Sequence, residues 1–84
     1  MELKYIVTDE NDFAIFTKLS SHNVVARGLF GKPVGAGFCN VRAEGTALDG
    51  GSDNVNVHCF GESITLQIES RPEDEDIINY KLNR

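Results

Sequence analysis

Eighty-four residues are enough for one small domain and no second. Hydrophobic residues make up 40% of them, an ordinary globular level that sets disorder aside, and no apolar run nears the ~20 residues of a membrane helix. The formal charge of −5 belongs to the second half: residues 1–43 carry five basic and four acidic side chains, and residues 44–84 carry three and nine. Such a balance repels phosphate backbones and disfavours direct nucleic-acid binding. Met1-Glu2-Leu3-Lys4 begins no signal peptide, so an unexported, cytoplasmic protein with reduced cysteines is expected.

Residues 3–8 (LKYIVT) and 13–18 (FAIFTK) predict two strands, because β-branched and aromatic residues dominate both. The polar run Asp9-Glu10-Asn11-Asp12 supplies turn chemistry between them. Both faces of this ribbon carry apolar groups (Tyr5, Val7 and Ile15 against Ile6, Ala14 and Phe16), which calls for cover on both sides by a helix or a second copy. A short helix follows, capped by Ser20, stapled by Leu19 and Val24 and closed at a left-handed Gly28; a strand over 23–29 is the alternative.

The stretch 28–37 (GLFGKPVGAG) holds four glycines and a proline and predicts irregular backbone. Residues 36–44 alternate Cys39, Val41 and Ala43 against Asn40, Arg42 and Glu44, a strand with one buried face. A loop is expected over 45–53. Residues 54–69 (NVNVHCFGESITLQIE) then predict a hairpin about a two-residue turn at Gly61-Glu62, with Val55, Val57, Cys59, Ile64, Leu66 and Ile68 along one face. Ser70 and Glu73 match a capping box for a last helix with Pro72 in its first turn and Ile77, Ile78 and Leu82 as its apolar stripe. The whole predicts an α+β domain over residues 1–84. Its antiparallel sheet has about five strands, in the order β-β-α-β-β-β-α, with two short helices on one face.

Five candidate sites stand beside blander readings. Arg27, Gly31, Lys32 and Arg42 gather in sequence around the glycines, where backbone N–H groups can converge on an anion. The spacing is too short for a Walker loop and Pro33 removes a donor, so a connector with unusual backbone angles is the favoured alternative. His22, Cys39, His58 and Cys59 lack paired metal spacing, and His58 and Cys59 point to opposite faces of one strand, so no metal is expected. A Cys–His hydrolase needs an exposed, electropositive thiol; Cys59 faces the apolar side, so packed thiols are expected instead. Phe30 puts apolar surface on a loop, where it either plugs the core, the preferred reading, or meets a partner. Glu73, Asp74, Glu75 and Asp76 have a sufficient structural reason in the dipole of the last helix, and they also offer a surface to a cationic partner.

Two functions are expected from these residues. The first is a small acidic, non-catalytic protein that binds another macromolecule, of a protein kind, through Phe30 or Glu73–Asp76, as a homodimer, with no cofactor. The alternative is a small-ligand protein for anions or phosphates, or a small enzyme, organised on the glycine-rich stretch.

Overall fold

The computed structural model describes residues 2–44 and 54–83. Its first two strands, β1 (Glu2–Thr8) and β2 (Phe13–Phe16), form the predicted antiparallel ribbon, with Tyr5 opposite Ile15 and Val7 opposite Phe13. The turn between them closes on the side chain of Thr8, whose Oγ1 accepts the Asp12 N–H at 3.1 Å. Asn11 takes the left-handed conformation there, at φ 59°, which a short polar side chain tolerates.

The next element is the short helix α1 (His22–Ala26). It starts one residue later than Ser20 would place it, with Ser21 at the N-cap and no side-chain cap bond. Leu19 and Val24 are exposed rather than stapled, and Gly28 is not among the positive-φ glycines. Five residues are too few to demand a full set of caps; what anchors α1 is His22, buried against the sheet.

The larger correction concerns the glycines. Residues 33–37 are not irregular backbone but the start of β3 (Pro33–Glu44), a twelve-residue strand. β3 pairs with β1 on one side and with β4 (Asn54–Phe60) on the other, giving a four-stranded antiparallel sheet in the order β2-β1-β3-β4. Glycine weakens an isolated strand, but in mid-sheet it lets another group approach the backbone closely. A Cβ on Gly35 would fall inside the Asp74 carboxylate, and one on Gly37 would meet the carbonyl oxygen of Phe60. The predicted loop over 45–53 lies outside the described residues.

The 54–69 hairpin holds only for its first arm. β4 is present and turns Val57 and Cys59 into the core, but its partner is β3, with Cys39 opposite Cys59 and Val41 opposite Val57. After the bend at Gly61 (φ 77°), residues 62–69 make a small hairpin of their own, β5 (Glu62–Ser63) against β6 (Ile68–Glu69). Buried Ser63 holds its turn: its Oγ accepts the Leu66 N–H at 3.3 Å, and Gln67 closes it with φ 56°. Local side-chain bonding of this kind competes with a long ladder and here replaces it. Ile64, expected on the apolar face, is 84% exposed.

The chain ends in α2 (Pro72–Leu82). Its N-cap is Arg71, not Ser70, and the residue that reaches back is Asp74, whose Oδ2 accepts the Arg71 N–H at 2.9 Å. Ile78 is buried among Tyr5, Val7, Cys39, Val57 and Cys59, with Ile77 partly buried beside it, while Leu82 is largely exposed. His22 of α1 packs instead against Phe16 and Phe38, which alternation places on the other face of the sheet. The helices therefore cover opposite faces, not one. This arrangement accounts for the two-sided apolar ribbon: Tyr5, Ile6 and Val7 are all fully buried within a single chain. No helix among the described residues is long and apolar enough to cross a membrane.

Candidate functional site

The four predicted anion-site residues are not brought together. Lys32 and Arg42 stand ten residues apart on or beside extended β3, about 33 Å at strand rise. Arg27 is exposed at the C-cap of α1. The glycine-rich stretch does aim N–H groups at carboxylates, but the carboxylates belong to the β1–β2 turn. The Lys32 N–H donates to Asp9 Oδ1 and the Phe30 N–H to Asp12 Oδ2, both at 2.9 Å. Gly31, at φ 90°, lies directly against Asp9.

The partner-contact residues divide as well. Phe30 is 77% exposed, so it does not plug the core. Glu73 and Asp76 face solvent, whereas Asp74 is fully buried and serves the interior of the molecule. Its Oδ2 accepts the Tyr5 hydroxyl at 2.7 Å, and its Oδ1 receives Arg71 Nε at 2.8 Å and Nη2 at 2.7 Å. Burial, with Asp74 opposite, drives the Tyr5 phenol far above its ordinary range. Glu75 is half-buried at the edge of β4, where it accepts the Cys59 N–H at 3.0 Å and lies 3.0 Å from His58 Nδ1.

What the sheet does assemble is an open face. Phe16, Lys4, Phe38 and Phe60 stand side by side across the four strands. The Phe38 and Phe60 rings stack at 6.2 Å between centroids, and His58 continues the row, stacked on Phe60 at 6.0 Å. One end of this face forms a mainly apolar groove of about 420 Å³ between α1 and the β5–β6 hairpin, with Phe38 and His22 against Ile64. His22 Nε2 lies 2.9 Å from the Gly37 carbonyl, and burial lowers its pKa, so the ring is held neutral. The other end is a polar groove of about 490 Å³ lined by Asn40, Arg42, Asn56, His58 and Glu75.

Chemically, the polar groove offers a guanidinium, two amides and an imidazole whose Nδ1 lies beside Glu75 and whose Nε2 is free of that contact. No ion pair joins Arg42 to any other described residue. That donor set suits a carboxylate or phosphate oxygen. The thiols take no part: Cys39 and Cys59 lie on the core face, where burial pushes them up to about 11 and about 12. Among the described residues no three His, Cys, Asp or Glu side chains gather as a metal site.

Sequence reasoning picked out Arg42, weighed His58 only as a metal or hydrolase residue, and passed over Asn40 and Asn56. Their signal was the polar alternation of two strands; what was missing was the pairing of those strands, which alone puts Arg42 opposite Asn56 and Asn40 opposite His58. No family model matches the chain, no curated protein matches it in sequence, and no solved structure matches it in fold.

Proposed function

We propose that this protein is a non-catalytic binding module that engages another macromolecule through the open face of its sheet. Phe38 and Phe60 supply contact area, and Arg42, flanked by Asn40, Asn56 and His58, receives an anionic group of the partner. The observation that carries this reading is the stacked row Phe38–Phe60–His58 running into a groove where Arg42 forms no ion pair with another described residue. An antiparallel sheet ordinarily keeps one face solvated, but aromatic rings in register beside an arginine are the residue types that dominate interface energetics. The 28–37 stretch has less support as a ligand loop, because Asp9 and Asp12 already occupy its Lys32 and Phe30 N–H donors.

A photo-crosslinking residue at Phe60 or Asn56, expressed in the native cell, tests the proposal against the same residue at Tyr80. Adducts confined to positions 56 and 60, and lost on Arg42→Glu, are expected. Equal labelling at position 80, or adducts indifferent to Arg42→Glu, would refute it. A homodimer is the second reading, favoured by three exposed apolar side chains, Leu19, Val24 and Phe30, within twelve residues around α1. A sedimentation mass of one chain at high concentration would dismiss it.

A further inference from the structure

The register of the sheet and the bonding of its outer edge together define the relation between Cys39 and Cys59. The two residues are directly opposite in the β3–β4 ladder. The Cys59 N–H donates outward to Glu75, and the backbone groups of Val57 and Val55 likewise turn outward, to Asn79 and Asn83. A residue whose backbone groups face the free edge gives none to its inner neighbour, so Cys39 and Cys59 form a non-hydrogen-bonded pair. In such pairs the Cα atoms approach to about 4.5 Å, inside the ~4.4–6.8 Å over which disulfides form, and the side chains lie closer than at hydrogen-bonded pairs. Both thiols are free, and both belong to one core cluster.

We infer that Cys39 and Cys59 are a reversible oxidation site, converted by a low-molecular-weight disulfide of the glutathione class into a cross-strand disulfide that ties β3 to β4. Cys59, at 8% exposure against 0% for Cys39, is the residue nearer solvent and is taken as the first to react. Its thiolate attacks one sulfur of the small disulfide, forming a mixed disulfide and expelling one small thiolate. The Cys39 thiolate then attacks the Cys59 sulfur, closes the Cys39–Cys59 bond and expels the second. The two protons lost by the protein thiols end on the two small thiols, and the small disulfide is reduced by the two electrons the protein gives up. The same exchange run in reverse by excess small thiol returns the disulfide to the dithiol. The side chains flanking the bond, Phe38 and Asn40 on β3 and His58 and Phe60 on β4, all stand on the open face, which therefore senses the change.

The test equilibrates the full chain in glutathione redox buffers, with and without denaturing urea, starting from both the dithiol and the disulfide. The expected result is a single-chain product lighter by two hydrogens and mapped to Cys39–Cys59. At equal glutathione ratio, its disulfide-to-dithiol ratio should be at least about tenfold higher in native buffer than in urea, because folding holds the sulfurs together. Amide shifts in the native chain should centre on residues 38–40 and 58–60. A native ratio at or below the ratio in urea overturns the inference, as does an end product of glutathione adducts or cross-linked dimers. No substitution is needed, so a variant that fails to fold cannot confuse the outcome.

Discussion

Asp74 is the residue on which three parts of the chain converge: Tyr5 of β1, Arg71 before α2, and the bare backbone of Gly35. A buried carboxylate is tolerated only when its oxygens are filled, and here four N–H or O–H donors fill them. Asp74→Ala strands the Tyr5 hydroxyl and the Arg71 guanidinium, and urea denaturation should report a loss of about 3 kcal/mol. Gly35→Ala drives a methyl into the carboxylate and should cost about 2–3 kcal/mol. In the double variant the losses should fall short of their sum by about 1 kcal/mol or more, since removing the carboxylate makes room for the methyl. His22 makes a pH-dependent contribution. Its folded pKa lies below the ordinary 6.5, so the unfolded chain binds the extra proton and stability falls as pH drops through 6.5. Denaturation between pH 7 and pH 5 should show that fall in the parent, up to about 1.4 kcal/mol per pH unit, and a flatter profile in His22→Gln.

At the scale of elements, the outer edge of the sheet is sealed by side chains rather than by another strand. Glu75 and Asn79 of α2 and Asn83 at its C-cap stand four residues apart and meet Cys59, Val57 and Val55, two residues apart on β4. Four helical residues rise about 6.0 Å and two strand residues about 6.6 Å, so the helix can serve the strand rung by rung. Asn79 does so with both ends of its amide, donating to the Val57 carbonyl at 3.0 Å and accepting its N–H at 2.7 Å. An unsealed edge is a template for pairing with other chains. Asn79→Leu should therefore destabilise by about 2 kcal/mol in urea melts and raise light scattering on mild heating.

For the whole molecule, the sheet has one face and one edge closed by α2, a second face partly covered by α1, and the remainder of that face open. The buried thiols give the closed side an alkaline limit. Their folded values lie near 11 and 12 against an ordinary 9.0, so their contribution is complete below pH 9 and is lost as pH rises toward 11. Stability in urea should fall by about 2–3 kcal/mol between pH 8 and pH 10, and Cys39→Ala should remove roughly half of that dependence.

Period-2 alternation and the turn residues made β1, β2, the second half of β3 and β4 legible, and the acidic first turn with Pro72 marked α2. Each depends on neighbours along the chain and so needs no knowledge of the fold. The assignment of 33–37 as loop, the pairing of 54–60 with 63–69 and the capping by Ser70 all went astray where tertiary contacts intervene. In the first two a distant group, the Asp74 carboxylate or β3, decides the outcome, and in the third the same buried Asp74 reaches back to Arg71 and moves the cap one residue on. The sequence by itself determined which segments extend, which coil and which side chains shun water. Only the tertiary structure decided which strands lie together, that the glycines make room for a buried carboxylate, and that Arg42 joins Asn40, Asn56 and His58, because contacts between distant residues leave no periodic trace in the chain.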